Sequence, residues 1–460
     1  MSIKVCIAGA GTYGSYLANI IIQKYPNAKI ILIDVGGSNI KTEEEIGYYS
    51  EIVSAQYNAT KKGRYFGLGG TSSMWGGQLL FFSDYDCPND KTIQYIRTLN
   101  IKYSNKVLSR FFEKIPELKE YTIDNGLNIK QGIWLQLNKR NLFNYFNLSQ
   151  KKIDIIKHYR VKSINKKENK VTSLIIQNSK GDLKEVDADI FFITCGAIET
   201  MRILSDSDLL KLDSETKGFC DHVSTRVFRL KSKPILKGQD FSYWFYNKSL
   251  VTTRIVGEYN GVSFYIQPVF NENFSFFQFL KRLIFKQEFS FKQFVKAFSQ
   301  SIHLIPFIYS YLFKKKLYVY GTWDLNIDVE LSNTANVLYS SDNKDKYGVQ
   351  SICVKYEISE STYEVVDYAR SVVRKILEEE NIVFEELVKK TSTLKLEDTY
   401  HPFKLYNNNL DFFKNYNPVS NLFVCHTGLL NRAGGLNPTA VLFCLLEEIV
   451  EKNFNFQENG

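Results

Sequence analysis

The sequence predicts an α/β fold joined to a second, sheet-rich domain. Three observations predict it. The chain opens on a strand–glycine–helix–strand unit, and similar units recur near residue 190 and near the C-terminus. Between residues 223 and 355 the character changes to long aromatic strands with many Tyr and few glycines. At 460 residues, the chain is too long for one simple core.

The opening unit is the most informative. Val5 to Ala8 reads as a buried strand and ends in Gly9-Ala-Gly11-Thr-Tyr-Gly14. Leu17, Ile20 and Ile21 follow at helical spacing, and the apolar run Ile30 to Ile33 stops at Asp34. Each part suits a Rossmann-like dinucleotide site. Gly9 permits the tight turn, Gly11 lets backbone approach a pyrophosphate, and Gly14 lets the helix pack close to the strand. The helix start offers N–H groups, Thr12 among them, to an anion. Asp34 lies about 20 residues past the last glycine, where a carboxylate can accept the hydroxyls of a ribose.

A second glycine-rich loop runs from Gly63 to Gly77 and carries Gly70, Thr71, Ser72, Trp75 and Gly76. It reads as a binding loop, since glycines bring backbone N–H groups to a ligand and the hydroxyls add donors. Residues 90–150 read as mixed, with a helical stretch from Val107 to Phe112 and a strand around Trp134. Lys151 to Asp189 alternates apolar residues around a turn at Ser179-Lys-Gly181-Asp182, as an antiparallel element does. A buried strand then ends at Gly196 and leads into a helix through Leu204. Val319 to Leu331 and Gln350 to Ile358 read as strands, and Thr362 to Glu380 as a helix. The strand from Asn421 meets Thr427 and Gly428, and Asn437-Pro438-Thr439 opens the last helix, Ala440 to Val450.

The net charge of +9 is spread along the chain without a basic tract, so no nucleic-acid partner is expected. Seven Cys without a C-x-x-C suggest reduced thiols in a cytoplasmic protein, with the inner face of a membrane as a further place. No metal constellation is expected, and no signal peptide before a strand that begins by about residue 3. Phe274 to Lys316 alternates Phe276, Phe277, Leu280, Leu283, Ile284, Phe291, Phe294, Val295 and Phe298 with Lys281, Arg282, Lys286, Lys292 and Lys296. It reads as cap helices over the second domain or as a basic amphipathic contact with a membrane interface.

Taken together, the glycine-rich pieces resemble the glucose–methanol–choline (GMC) flavoprotein oxidoreductases. The resemblance is carried by Gly9 to Ala18, Gly69 to Gly77, Ile193 to Leu204, Asp221-His222 and Asn437-Pro-Thr439. It implies a Rossmann-like FAD-binding domain assembled from discontinuous segments, 1–222 with room for a small excursion near 90–150 and 396–460, and an α+β sheet-based substrate domain at 223–395. It also implies FAD held by Gly9, Gly11, Gly14 and Asp34, by the Gly69 to Gly77 loop, by the backbone near Val161, and by Thr427, Gly428, Asn437 and Thr439. The catalytic pair would be His401, as base, and Asn437, whose amide would hold the alcohol oxygen. Met74 stands before Trp75 where some members carry a flavin-linking His, so the FAD is expected to be non-covalent.

The expected reaction is hydride removal from an alcohol CH–OH group, that of a sugar or a sugar-linked substrate. The alternatives are a membrane-associated long-chain or polyprenyl alcohol dehydrogenase and a catalytically degenerate flavin-fold binding protein. The electron acceptor is left open. His222 is expected to cap a turn, and His158 and His303 to lie on the surface or in the cap.

Overall fold

The computed structural model describes residues 2–53, 57–87, 89–124, 126–232, 235–236, 239–241, 243–270, 279, 289–299, 304–315, 323–388, 396–406, 418–435 and 437–454. Two sheets dominate. The floor is a parallel five-stranded sheet in the order Leu422–Val424, Ile190–Ile193, Lys4–Ala8, Lys29–Asp34 and Ile153–Lys157. Its strands come from four distant parts of the chain, as the resemblance implied. Val5 to Ala8 are fully buried, as a strand covered on both faces must be.

The two chain ends meet on this floor. The helices Thr12–Lys24 and Thr439–Asn453 pack together through Tyr16 and Phe443, whose rings stack at 4.0 Å. The Tyr16 hydroxyl donates to Glu447 Oε1 at 2.9 Å, which also receives Arg110. Of the expected helix from Val107 to Phe112 only Val107 to Ser109 is helical, as the end of a longer helix, Lys91–Ser109. Its start is set by Asp90, whose side chain accepts from the N–H groups of Thr92 and Ile93. Ile93, Ile96, Tyr103 and Val107 form its buried stripe, so the helical period extends well before residue 107.

The expected antiparallel element is a three-stranded sheet, Tyr159–Lys167, Lys170–Asn178 and Leu183–Asp187. Its turn holds Gly181 at φ +93°, and Asn178 Oδ1 accepts from the N–H groups of Lys180 and Asp182.

The roof is antiparallel. Its central strands run in the order Cys220–Leu230, Trp323–Ser332, Val262–Phe270, Ser249–Tyr259, Leu127–Trp134 and Gln78–Leu79. The stretch 90–150 is therefore shared between the layers: Lys91–Ser109 lies against the floor's helices and Leu127–Trp134 is a roof strand. The helix Glu360–Glu379 covers the roof, and Tyr368 stacks on Tyr259 at 4.1 Å. The other expected strands fall at Trp323–Ser332 and Gln350–Lys355; Val319 itself lies outside the described residues. Of the Phe274 to Lys316 segment, Phe276, Phe277, Leu280, Lys281, Arg282, Leu283, Ile284, Lys286, His303 and Lys316 lie outside the described residues as well.

The seven cysteines are unbonded; six are buried and Cys195 is half-buried. Among the described residues, no helix is long and apolar enough to cross a membrane.

Candidate active site

Floor and roof enclose a cavity of about 450 Å³. Gly9, Gly11, Thr12 and Asp34 line it from the floor. Gly70, Thr71, Trp75 and Gly76 line it from the second glycine loop. Val161, His401, Thr427, Asn437 and Thr439 complete the set of expected residues on its wall. Three expected residues are not on the wall. Gly14 works in packing: a Cβ there would lie 1.8 Å from the Gly9 carbonyl oxygen. Ser72 is fully buried, donates to the Gly69 carbonyl at 2.6 Å and accepts from the Leu142 N–H. Gly428 gives its N–H to His426 Nδ1, and its carbonyl accepts from the Leu405 N–H.

The two glycines that do line the turn differ. Gly9 has φ +98°, and a Cβ there would sit 2.6 Å from the Thr194 carbonyl oxygen. Gly11 stands in the open, with Gly70 Cα the nearest atom to an added Cβ at 3.9 Å. It is the N-cap of the first helix, so unpaired N–H groups flank a position that carries no side chain. The second glycine loop docks here: Gly69 N–H donates to the Ala10 carbonyl at 2.9 Å. Asp34 accepts from the N–H groups of Ala10 and Gly36, at 2.9 and 2.8 Å. Burial raises its carboxyl pKa, and those N–H groups pull it back down. The Gly67 N–H also reaches it, and the carboxylate still keeps a lone pair for a diol. This open, glycine-lined cradle fits the diphosphate and ribose of a dinucleotide such as FAD.

The Val161 carbonyl accepts from Arg202 and keeps its second lone pair. Arg202, Arg160 and Glu199 form a buried ion cluster beside it. Trp75 faces the cavity, with its indole N–H on the Arg140 carbonyl at 2.9 Å.

His401 is half-buried, with one edge on the cavity. Burial, with the nearby His222 and Arg254, lowers its pKa to about 3. Its backbone N–H donates to both carboxyl oxygens of Asp221, and its Nδ1 lies 3.2 Å from Thr399 Oγ1. The Thr399 hydroxyl lies 3.1 Å from Asp221 Oδ1. Thr399 has one proton for two neighbours. An ionised Asp221 can only accept, so the hydroxyl proton goes to it, Nδ1–H donates to Thr399, and Nε2 is left bare to act as a base. A protonated Asp221 can donate to Thr399 instead, which turns the hydroxyl proton toward Nδ1 and puts the imidazole proton on Nε2. Burial, reinforced by Asp398, raises the Asp221 pKa to about 8.

Asn437 is held by a network the sequence did not suggest. Arg254, buried under the roof, donates to Gln78 Oε1. A guanidinium can only donate, so the atom facing it is the amide oxygen. Asn437 Nδ2 donates to that oxygen at 3.1 Å, and Gln78 Nε2 donates to Thr252 Oγ1 at 2.7 Å. One Asn437 amide hydrogen is thus spent on Gln78; Oδ1 and the second hydrogen remain. The Arg254 guanidinium lies over the Tyr265 ring at 4.2 Å.

Among the described residues, the other histidines are held by hydrogen bonds or packing within the protein, His426 on the cavity wall included. His222 lies inside the strand Cys220–Leu230, fully buried, with Nε2 at 2.8 Å from the Gly434 carbonyl. The turn-capping role expected for it is not the one it has. Asp221, His222 and His401 bring one possible ligand atom each to within 4.8 Å. The carboxylate is committed to the bonds above, whereas His222 Nδ1 has no hydrogen-bond partner among the described residues, so the relay runs through Asp221, Thr399 and His401 without the His222 ring. His426 accepts from the Gly428 N–H through Nδ1 and faces the Tyr406 hydroxyl through Nε2. His158, with φ +65°, lies against Gly37.

A parallel floor assembled from distant parts of the chain and an antiparallel roof, with a cavity between them, make up the fold. Particular solved structures share it along the whole chain. Pyridoxine 4-oxidase from Mesorbium loti has a TM-score of 0.58 at 12% identity, over 98% of this chain and 99% of that one. A formate oxidase from Aspergillus oryzae RIB40, described for modification of its FAD, has a TM-score of 0.53 at 11% identity over 98% and 97%. A second formate oxidase structure also gives 0.53 at 11%, over 98% of each chain. At these identities the likeness is one of fold. No protein-family model and no curated protein sequence matches the chain.

Proposed function

We propose that the protein is an FAD-dependent oxidoreductase that removes a hydride from an alcohol CH–OH group. One observation carries this reading: His401 and Asn437 stand on the wall of the same cavity as Gly11 and Asp34. Gly9, Gly11, Thr12, Asp34, Gly70, Thr71, Trp75, Gly76, Val161, Thr427 and Thr439 would hold the FAD. Met74 on the cavity wall offers no nucleophile for a covalent link, which favours non-covalent binding. The FAD, when bound, supplies the hydride acceptor.

His401 Nε2 takes the hydroxyl proton. Once Asp221 is ionised, the Asp221–Thr399 relay leaves Nε2 free of its own proton, and the depressed pKa keeps the ring neutral. Asn437, oriented by Gln78, holds the alcohol oxygen and sets which hydrogen faces the acceptor. Trp75 and Trp134 on the wall suit the apolar faces of a sugar or sugar-linked alcohol in the cytoplasm. A long-chain or polyprenyl alcohol is the second reading, favoured by exposed apolar helices tied to the roof, among them Phe291–Ser299.

Anaerobic mixing of the flavin-loaded protein with glycosides and, separately, with amphiphilic alcohols tests both readings. Bleaching of the flavin band by one class selects it. A purified protein that carries and takes up no flavin would leave neither reading standing.

A further inference from the structure

We infer that the helices Phe291–Ser299 and Leu304–Tyr309, the second continued by Ser310–Lys314, dock this protein on an anionic membrane surface. Residues 271–322 are inserted between Phe270 and Trp323, which face each other as partners on adjacent roof strands. The excursion therefore leaves and rejoins the sheet at one rung.

Its first helix wears its apolar stripe outward. Phe291, Phe294, Val295 and Phe298, at i, i+3, i+4 and i+7, are all exposed, while Ala297 on another face is buried. Phe298 is 69% exposed and Phe291 71%. The second helix repeats the pattern with Ile305, Ile308, Tyr309, Leu312 and Phe313, the last 73% exposed. Single exposed apolar residues need no explanation, but two consecutive stripes do.

The charges choose the occupant. Lys292 and Lys296 flank the first stripe, and Lys314 and Lys315 follow the second; all four are exposed. No Asp or Glu occurs between Phe289 and Trp323. A second copy docking face to face would bring these lysines together with no acid to offset them. A headgroup layer of anionic lipid offers the missing charge and an apolar depth for the Phe side chains. Both helices are far too short to span a bilayer, so they would lie in its interface. The patch is tied to the roof: the Phe245 N–H donates to the Lys315 carbonyl at 2.7 Å. Phe245 lies on the strand Trp244–Tyr246, two strands from Trp134 on the cavity wall. This inference does not depend on the cofactor or on the alcohol.

The test is co-sedimentation of the full chain with phosphatidylcholine vesicles, with and without about one-third phosphatidylglycerol. Binding is expected on the anionic vesicles and should weaken as salt rises above physiological strength. Lys292→Gln with Lys296→Gln should weaken it by about fivefold per lysine, and Phe294→Ser with Phe298→Ser should abolish it. Hydrogen exchange on the unmodified protein supplies a readout without variants: vesicles should protect 289–315 and leave the floor strands unchanged. No binding to anionic vesicles, or no added protection at 289–315, would overturn the inference. So would a dimer that the Phe substitutions dissolve while vesicle binding is absent; that result would give the face to a second copy.

Discussion

The floor and the roof of the cavity are built on opposite plans. The floor presents backbone: glycine turns, helix N–H groups, and a carboxylate already holding main-chain donors. The roof and the C-terminal wall present side chains that hold one another, as in Arg254 to Gln78 to Asn437 and Asp221 to Thr399 to His401. A surface made of backbone can be changed only by adding atoms where none fit. A surface made of side-chain relays can be changed one proton or one hydrogen bond at a time. The floor's mutations should therefore be all-or-none, and the roof's graded.

The sharpest contrast lies within the floor. Gly14→Val places Cβ on the Gly9 carbonyl and should abolish folded protein, seen as loss of the parent's gel-filtration peak. Gly11→Ala meets nothing closer than 3.9 Å, so its Tm should stay within a few degrees of the parent. It should nonetheless lose flavin by equilibrium dialysis, because the methyl occupies the cradle. Loss of fold in both, or of flavin in neither, would break the distinction between packing and binding glycines.

On the roof side, His401→Ala should retain flavin and slow anaerobic bleaching by about two to four orders of magnitude. The pH profile reaches further into the relay. A His401 pKa lowered to about 3 means no protonation step near 6.5. Asp221, raised to about 8, is protonated below that pH and turns the imidazole proton onto Nε2. Bleaching should therefore fall about tenfold per pH unit below about 8 and level off above it. Asp221→Asn, whose amide can donate permanently to Thr399, should be slow and flat with pH, and Thr399→Val should erase the limb. A limb at 6.5 in the parent would refute the relay. Stability gives an independent sign. The folded pKa of Asp221 lies above its unfolded value of 3.8, so the folded state binds the proton more tightly. The Asp221 contribution is full below 3.8 and is lost as pH rises through about 8. The Tm advantage of the parent over Asp221→Asn should shrink across that window.

The same contrast explains what the sequence made legible. Gly9, Gly11, Gly14 and Asp34 were readable because a fixed turn and a helix start demand fixed spacing along one short stretch. The opening strands and the antiparallel element at 151–189 were readable from apolar runs and alternation, and the meeting of the two ends from the resemblance. Ser72 and Gly428 were read as ligand contacts because glycine–hydroxyl loops look alike whether their donors face a ligand or the loop itself. Thr399 carried no such signal: it meets His401 because Tyr400, at φ +67°, bends the chain between them. Gln78 and Arg254 are 176 residues apart and meet only through sheet pairing. No local pattern marks such a pair.

The smallest effect should come from Gln78, and it separates orientation from mere packing. Gln78→Met keeps the volume but removes the oxygen that receives Arg254 and Asn437. The buried Arg254 and the half-buried Asn437 donors are then left without that acceptor, which should cost about 1–3 kcal/mol of stability. Freed from Gln78, Asn437 can rotate, and kcat should fall several-fold while flavin binding holds. Gln78→Glu keeps an oxygen for both donors and adds an ion pair with Arg254. It loses the donor to Thr252, but the indole N–H of Trp134 still reaches that hydroxyl at 3.2 Å. The Glu variant should therefore restore kcat to within about twofold of the parent, whatever its Tm. If both variants lose activity equally, Gln78 acts as filler and the orientation of Asn437 is set elsewhere. If Met alone does, a buried arginine with no place on the cavity wall is steering the amide that is.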